Sequence, residues 1–131
     1  MAVATCIETP TKFARRTIAD ATSVPIGTLM KLEDANTVVV SAADNDPFGG
    51  IAWEEKTTSD GLTEITVALN GVWEITTTAA NVAVGHGVCI GAANAIRSII
   101  EADLVLGRYL GKSRGPTLIG AGVVIVEVGS F

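Results

Sequence analysis

Two stretches of this chain match at one spacing, and that repeat limits the possible folds more than any other feature. The first runs Val24-Pro25-Ile26-Gly27-Thr28-Leu29-Met30-Lys31-Leu32-Glu33-Asp34-Ala35-Asn36 and the second Val82-Ala83-Val84-Gly85-His86-Gly87-Val88-Cys89-Ile90-Gly91-Ala92-Ala93-Asn94. Val24 falls on Val82, Gly27 on Gly85, Ala35 on Ala93 and Asn36 on Asn94 (82 − 24 = 58). Met30 falls on Val88 and Leu32 on Ile90, so apolar character survives where identity does not. Each copy reads as a turn at the glycine, a strand, and a second turn at the asparagine, because Gly opens the backbone and Asn tolerates left-handed conformations. Two similar β-rich halves follow.

The 131 residues suffice for one domain with a real core. Hydrophobic residues make up 48% and mean hydropathy is +0.45. No apolar run reaches the ~18 residues of a membrane helix. Instead the apolar residues form short Val/Ile/Thr-rich segments, the pattern of a soluble β protein with no membrane partner. Only 18% of residues are charged; that is low for a monomer's surface and favours an oligomer. The net charge of −5 argues against a nucleic-acid partner, since neutralising phosphates takes clustered Lys and Arg. The basic residues are scattered apart from Lys12, Arg15 and Arg16. The N-terminus lacks the basic-then-apolar pattern of a secretory signal, so Cys6 and Cys89 are expected as free thiols.

Residues 1–12 read as an N-terminal arm, either frayed or extended and ordered by a binding partner. Residues 13–131 read as a single β domain, with halves of about 13–70 and 71–131. Strands are predicted over Phe13–Ile18, Gly27–Leu32, Thr37–Ser41, Phe48–Glu55, Glu64–Leu69, Val72–Thr76, Val88–Ile90 and Ala121–Val128. Ala95–Ile100 is a strand or a short helix, and Ala79–Val84 has room for one helical turn. Leu104–Leu110 matches Asp46–Ala52 at the repeat spacing, and Lys112–Thr117 reads as a loop. Gly49-Gly50 suggests a bulge or a close backbone approach. Asn70-Gly71 is the strongest tight-hairpin signal. About nine or ten short strands at this spacing make a small barrel or sandwich.

Each candidate for chemistry meets an obstacle. Gly107-Arg108-Tyr109-Leu110-Gly111-Lys112-Ser113 has three residues between its glycines where a phosphate loop needs four, and Arg114-Gly115-Pro116 follows where that loop needs a helix. Gly120-Ala121-Gly122 precedes a strand, not a helix. His86, the single histidine, sits between glycines with no ligand-type neighbour. Asp44 and Asp46 match only the start of a calcium loop. Glu54 and Glu55 are adjacent, so on a strand they face opposite ways. No catalytic residue, metal site or cofactor is expected. Trp53 and Trp73, expected on adjacent strands, are either core residues or an oligomer or partner face.

The layout of Val24–Leu32, Gly50-Ile51-Ala52, Asn70-Gly71-Val72-Trp73-Glu74-Ile75 and Val82–Ile90 resembles a family of small proteins from tailed-phage head-gene clusters, the capsid decoration or cement proteins. Some relatives carry a recombinase label, which the failed phosphate loop does not support. The resemblance spans roughly Thr17–Val128. It implies a β-barrel or β-tulip-like homotrimer, made in the host cytoplasm and seated on the outer surface of the virion capsid. Its partner would be the major capsid protein, with no small-molecule substrate. The arm would then add as a strand to the shell protein, with Thr5, Ile7 and Thr9 facing one way and Cys6 and Glu8 the other. Arg15 and Arg16 would meet acidic groups on the shell. The rival readings are another phage structural protein, such as a head spike or tail component, and a cellular ligand-binding β-barrel.

Overall fold

The computed structural model describes residues 3–78, 82, 84–99, 109–116 and 122–129. Eleven strands form among them: β1 (Thr5–Glu8), β2 (Phe13–Thr17), β3 (Leu29–Leu32), β4 (Val38–Val40), β5 (Phe48–Ala52), β6 (Glu64–Ala68), β7 (Gly71–Thr77), β8 (Gly87–Ala92), β9 (Ala95–Ser98), β10 (Gly111–Pro116) and β11 (Val123–Val128). No helix occurs among the described residues. The expected all-β architecture of two similar halves is therefore present: the second half is a barrel closed by strand pairing, and in the first a five-stranded sheet curls back on itself through a single bridge.

The first barrel has the order β2-β6-β5-β3-β4. A parallel bridge between Thr17 and Thr37 brings β4 back to β2, with the Thr17 amide donating to the Asn36 carbonyl at 2.8 Å. The second barrel has the order β7-β11-β10-β8-β9 and closes by the parallel pairs Thr76–Ala95 and Thr77–Ile96. β1 lies outside it, antiparallel on the stretch of β7 that β9 leaves free.

The two barrels share their strand register. Leu32↔Val38 recurs as Ile90↔Ile96 (90 − 32 = 58), Ala14↔Val67 as Trp73↔Val126 (73 − 14 = 59), and Leu29↔Ile51 as Gly87↔Lys112 (112 − 51 = 61). Loop hydrogen bonds repeat too. Gly27 N–H donates to the Ala52 carbonyl at 2.9 Å, and Gly85 N–H to that of Ser113 at 2.7 Å. The Ile18 amide donates to Thr63 at 2.9 Å, and the Thr77 amide to Gly122 at 2.8 Å. Gly27 and Gly85 both have positive φ, at 94° and 83°, which only glycine adopts without strain. The single spacing read from the sequence is thus exact for β3 and β4 and drifts elsewhere, because the connecting loops gain and lose residues.

Packing explains why the barrels close. Ile18, Val24, Met30, Val38, Ala52, Ile65 and Val67 fill the first one. Their neighbours Leu29, Ile51 and Ala68 point the other way and join a second cluster with Trp73, Ile75, Val88, Ile90, Ile96, Val124 and Val126. Each fully buried branched side chain of this kind is worth about 1.5–3 kcal/mol. One outer face of the first barrel is therefore sealed by the second.

Three expectations are corrected. Asn70-Gly71 is not a hairpin: β6 and β7 lie in different sheets, and the dipeptide is the joint between the barrels. Its Gly71 has φ of 104°. The stretch read as a loop at Lys112–Thr117 contains most of β10, which bulges between Ser113 and Gly115. β5 ends at Ala52, so Glu54 and Glu55 are not in a strand. As anticipated, Gly49 is an extra residue, since Met30 pairs with Gly50 and Lys31 with Phe48. A Cβ on Gly50 would lie 2.6 Å from the Val67 side chain. Leu104–Gly107, Ala79–Asn81 and Gly120-Ala121 lie outside the described residues.

Candidate interaction surface

The segment read as an arm is extended and is folded onto its own chain. The Ala4 amide donates to the Gly27 carbonyl at 2.9 Å, on the first barrel, and the next residues pair with β7 of the second. Ala4 is buried. After Glu8 the chain wraps the joint, where Asn70 Oδ1 accepts the amides of Thr11 and Lys12 at 2.8 and 3.0 Å. The alternation expected of Thr5, Ile7 and Thr9 breaks, because Cys6 pairs with Trp73 and Glu8 with Val72, leaving Ile7 as a bulge residue. Ile7 is 48% exposed, Thr5 and Thr9 are exposed, and Cys6 packs against the core. Burial pushes the Cys6 thiol pKa up. Cys6 and Cys89 are not joined in a disulfide.

The predicted pair Arg15 and Arg16 lies on β2, on opposite faces. Arg15 Nη1 donates to Glu54 Oε1 at 2.7 Å and to Thr66 Oγ1 at 2.8 Å, on the outer face. Both ends of that ion pair are substantially exposed, so it adds little stability. Arg16 faces inward, and its buried Nε has no hydrogen-bond partner.

Trp53 and Trp73 do not sit on neighbouring strands. They meet edge-on across the barrels, with ring centroids 6.0 Å apart, and Phe13 follows at 5.5 Å from Trp53. Trp73 is buried, and its Nε1–H donates to the Asn70 carbonyl at 3.1 Å, so the expectation of a partner face at Trp73 is overturned. A buried indole N–H needs one acceptor, and the joint supplies it. Trp53 is half-buried, and Phe13, which the sequence reading did not single out, is 42% exposed at the outer end of the row.

Sequence reasoning also missed Lys56. Its ammonium is fully buried and meets four oxygens: Asp60 Oδ1 at 2.8 Å, the Asp20 carbonyl at 2.9 Å, Asp20 Oδ1 at 3.3 Å and the Thr57 carbonyl at 3.4 Å. Burial opposes the charge, but the hydrogen bonds to Asp60 and Asp20 outweigh it and hold the Lys56 pKa above the ordinary lysine value. The Lys56 ammonium and the Leu62 and Thr57 amides push Asp60 down to about 2. No local pattern announces this knot, since Asp20 comes from a distant loop.

The remaining candidates have structural roles. Asp46 Oδ2 accepts the amides of Ala42 and Ala43 at 2.8 and 2.9 Å, and its other oxygen faces Lys31. Asp44 pairs with Arg97. The two carboxylates are thus used separately. His86 lies exposed in a turn, and its carbonyl accepts the Ser113 amide at 2.8 Å. Gly111-Lys112-Ser113 is strand, not the start of a helix. Between the barrels, a crevice of about 320 Å³ is lined in part by Lys12, Phe48, Tyr109 and Leu110.

Comparison with known proteins gives no match: no protein-family model, no curated protein and no solved structure is significantly similar to this chain.

Proposed function

We propose that this protein is a structural virion protein of a tailed phage, a decoration protein that binds the outside of an assembled capsid and cements neighbouring copies of the major capsid protein. One observation carries an adhesive role over a ligand-binding one: side chains of both core clusters fill the barrels, so a partner must be met on the outer surface. Exposed apolar groups stand there, including Ile26 and Val84, which occupy the same place in the two copies (84 − 26 = 58) at 52% and 74% exposure. The sequence resemblance supplies the phage context. A protein that binds only the assembled lattice stabilises it by mass action, and a homotrimer adds avidity.

The test is to add the purified protein to capsids of its phage prepared without it. Density centred on local threefold positions, together with slower capsid disruption on heating, is the expected outcome. Light scattering should give three times 13.4 kDa. Absence of capsid binding, or an open-ended stack in solution, would remove this reading; a stack would point to a tail component. The crevice beside Phe48 and Tyr109 favours a second reading, a small-ligand protein, which would show as saturable ligand binding without capsid binding.

A further inference from the structure

β2 and β7 are the same strand in the two barrels, yet their outer edges are occupied differently. β7 gives Val72, Trp73 and Glu74 to β1, and Thr76 and Thr77 to β9. β2 gives Thr17 to the bridge with Thr37. Its Phe13, Ala14 and Arg15, the counterparts of Val72, Trp73 and Glu74 (72 − 13 = 59), have no strand on that side among the described residues.

The ladder phase shows what this leaves open. Ile18 N–H donates to the Thr63 carbonyl on the β6 side, whereas Thr17 N–H donates to Asn36 on the other. Backbone groups alternate sides along a strand. The N–H and C=O of Phe13 and Arg15 therefore point to the open edge. Exposure agrees: Phe13 and Arg15 are exposed, while their counterparts Val72 and Glu74, beside β1, are buried and half-buried. An open edge of this kind is a template for a further strand.

Charge indicates which strand. Continuing the β1 register by one residue sets Ala4 opposite Ile75, and Ile75 corresponds to Arg16 (75 − 16 = 59). Where the filled site has an alanine beside an isoleucine, the open one has Arg16, with a buried Nε that lacks an acceptor. Lys12 precedes it in the chain, while Arg15 lies on the opposite face and is paired with Glu54. The chain's own β1 is not the occupant, because β7 and Gly27 hold it and Glu8 is paired with Arg114 at 2.9 Å.

We infer that the outer edge of β2 is a strand-acceptor site for an extended acidic segment of a partner protein. The segment pairs with the backbone of Phe13 and Arg15, and one of its carboxylates meets Arg16. This inference rests on the barrel repeat and is independent of the capsid reading.

The test uses the full chain, isotopically labelled, and blocked peptides of alternating Thr and Val with one Glu placed to fall opposite Arg16. Amide exchange at Phe13 and Arg15 should slow as this peptide is added, while that of Val72 and Glu74 stays constant. A Lys in place of Glu should weaken binding by roughly tenfold or more, as loss of one partner of a hydrogen-bonded charge pair does. N-methylating the peptide amide that faces the Arg15 carbonyl should abolish protection without touching the protein. Arg16→Ile, which installs the residue of the second barrel, should bring the Glu and Lys peptides to equal affinity. Unchanged exchange at Phe13 and Arg15, or equal binding of the Glu and Lys peptides to the unaltered chain, would overturn the inference. So would protection that rises with protein concentration alone, which would place a second copy at the edge.

Discussion

The side-chain oxygen of Asn94 accepts the backbone N–H of Leu29 at 2.8 Å, so a turn of the second barrel caps a strand of the first. Asn94 is buried, with φ of 54°, and its own amide donates to Ser41 Oγ at 3.2 Å. Asn94→Ala would leave a buried amide without its acceptor, at a cost of about 1–3 kcal/mol. Asn94→Asp retains an acceptor and should cost less. Urea unfolding of the two variants measures the difference.

The two repeat glycines should respond unequally to the same change. A Cβ on Gly27 would sit 2.2 Å from the Ala4 carbonyl oxygen, whereas one on Gly85 would meet open space. Gly85→Ala should cost only the left-handed strain of about 1–2 kcal/mol. Gly27→Ala adds displacement of the N-terminal strand, and hydrogen exchange should speed up at Ala4 and through β1. Equal losses, with no change in exchange at β1, would contradict the docking described.

Acid should weaken the knot around Lys56. Asp60 is depressed to about 2 by the Lys56 ammonium and backbone amides. A carboxylate depressed in the folded state stabilises above its unfolded pKa, near 4, and that contribution is lost as pH falls from about 4 to about 2. Asp60→Asn should flatten the stability profile in that window. Lys56 is shifted upward, so its contribution is complete below the unfolded lysine value and is lost as pH rises past it. Lys56→Met should therefore be less stable than the parent at neutral pH and approach it in alkali, measured by urea midpoints across pH.

The tryptophans should separate by truncation. Trp73→Ala opens a large cavity at a buried site and should cost about 3–5 kcal/mol. Trp53→Ala removes a half-buried ring and should cost distinctly less. In Trp53→Phe, the remaining emission of Trp73 should be blue-shifted and resist acrylamide quenching.

The repeat was legible because Gly27, Gly85 and Asn94 take positive φ, where backbone geometry restricts the residue; Asn36 matches Asn94 in place but not in that conformation. Elsewhere sequence carried less. The Asn70-Gly71 pair reports a local reversal of φ, but not whether the flanking strands bond to each other or enter separate sheets. β10 was hidden by the glycines and proline of Gly111–Pro116, which read as loop although neighbouring strands supply a ladder. Trp73 could not be placed from its flanks, since the Trp53 contact crosses barrels. Lys56 and the open edge at Phe13 and Arg15 are products of topology. Arg15 and Arg16 were singled out together for their charge, but strand alternation gives them different surroundings.

The passage from β6 through Asn70-Gly71 into β7 has no slack, and β1 fastens the same two bodies a second time. Ile26 and Val84 are consequently held at a set separation in each molecule. On the adhesive role proposed above, such an object would measure spacing: a surface whose footholds match that interval would be gripped at both points together, and one strained to a different interval would lose the second grip altogether.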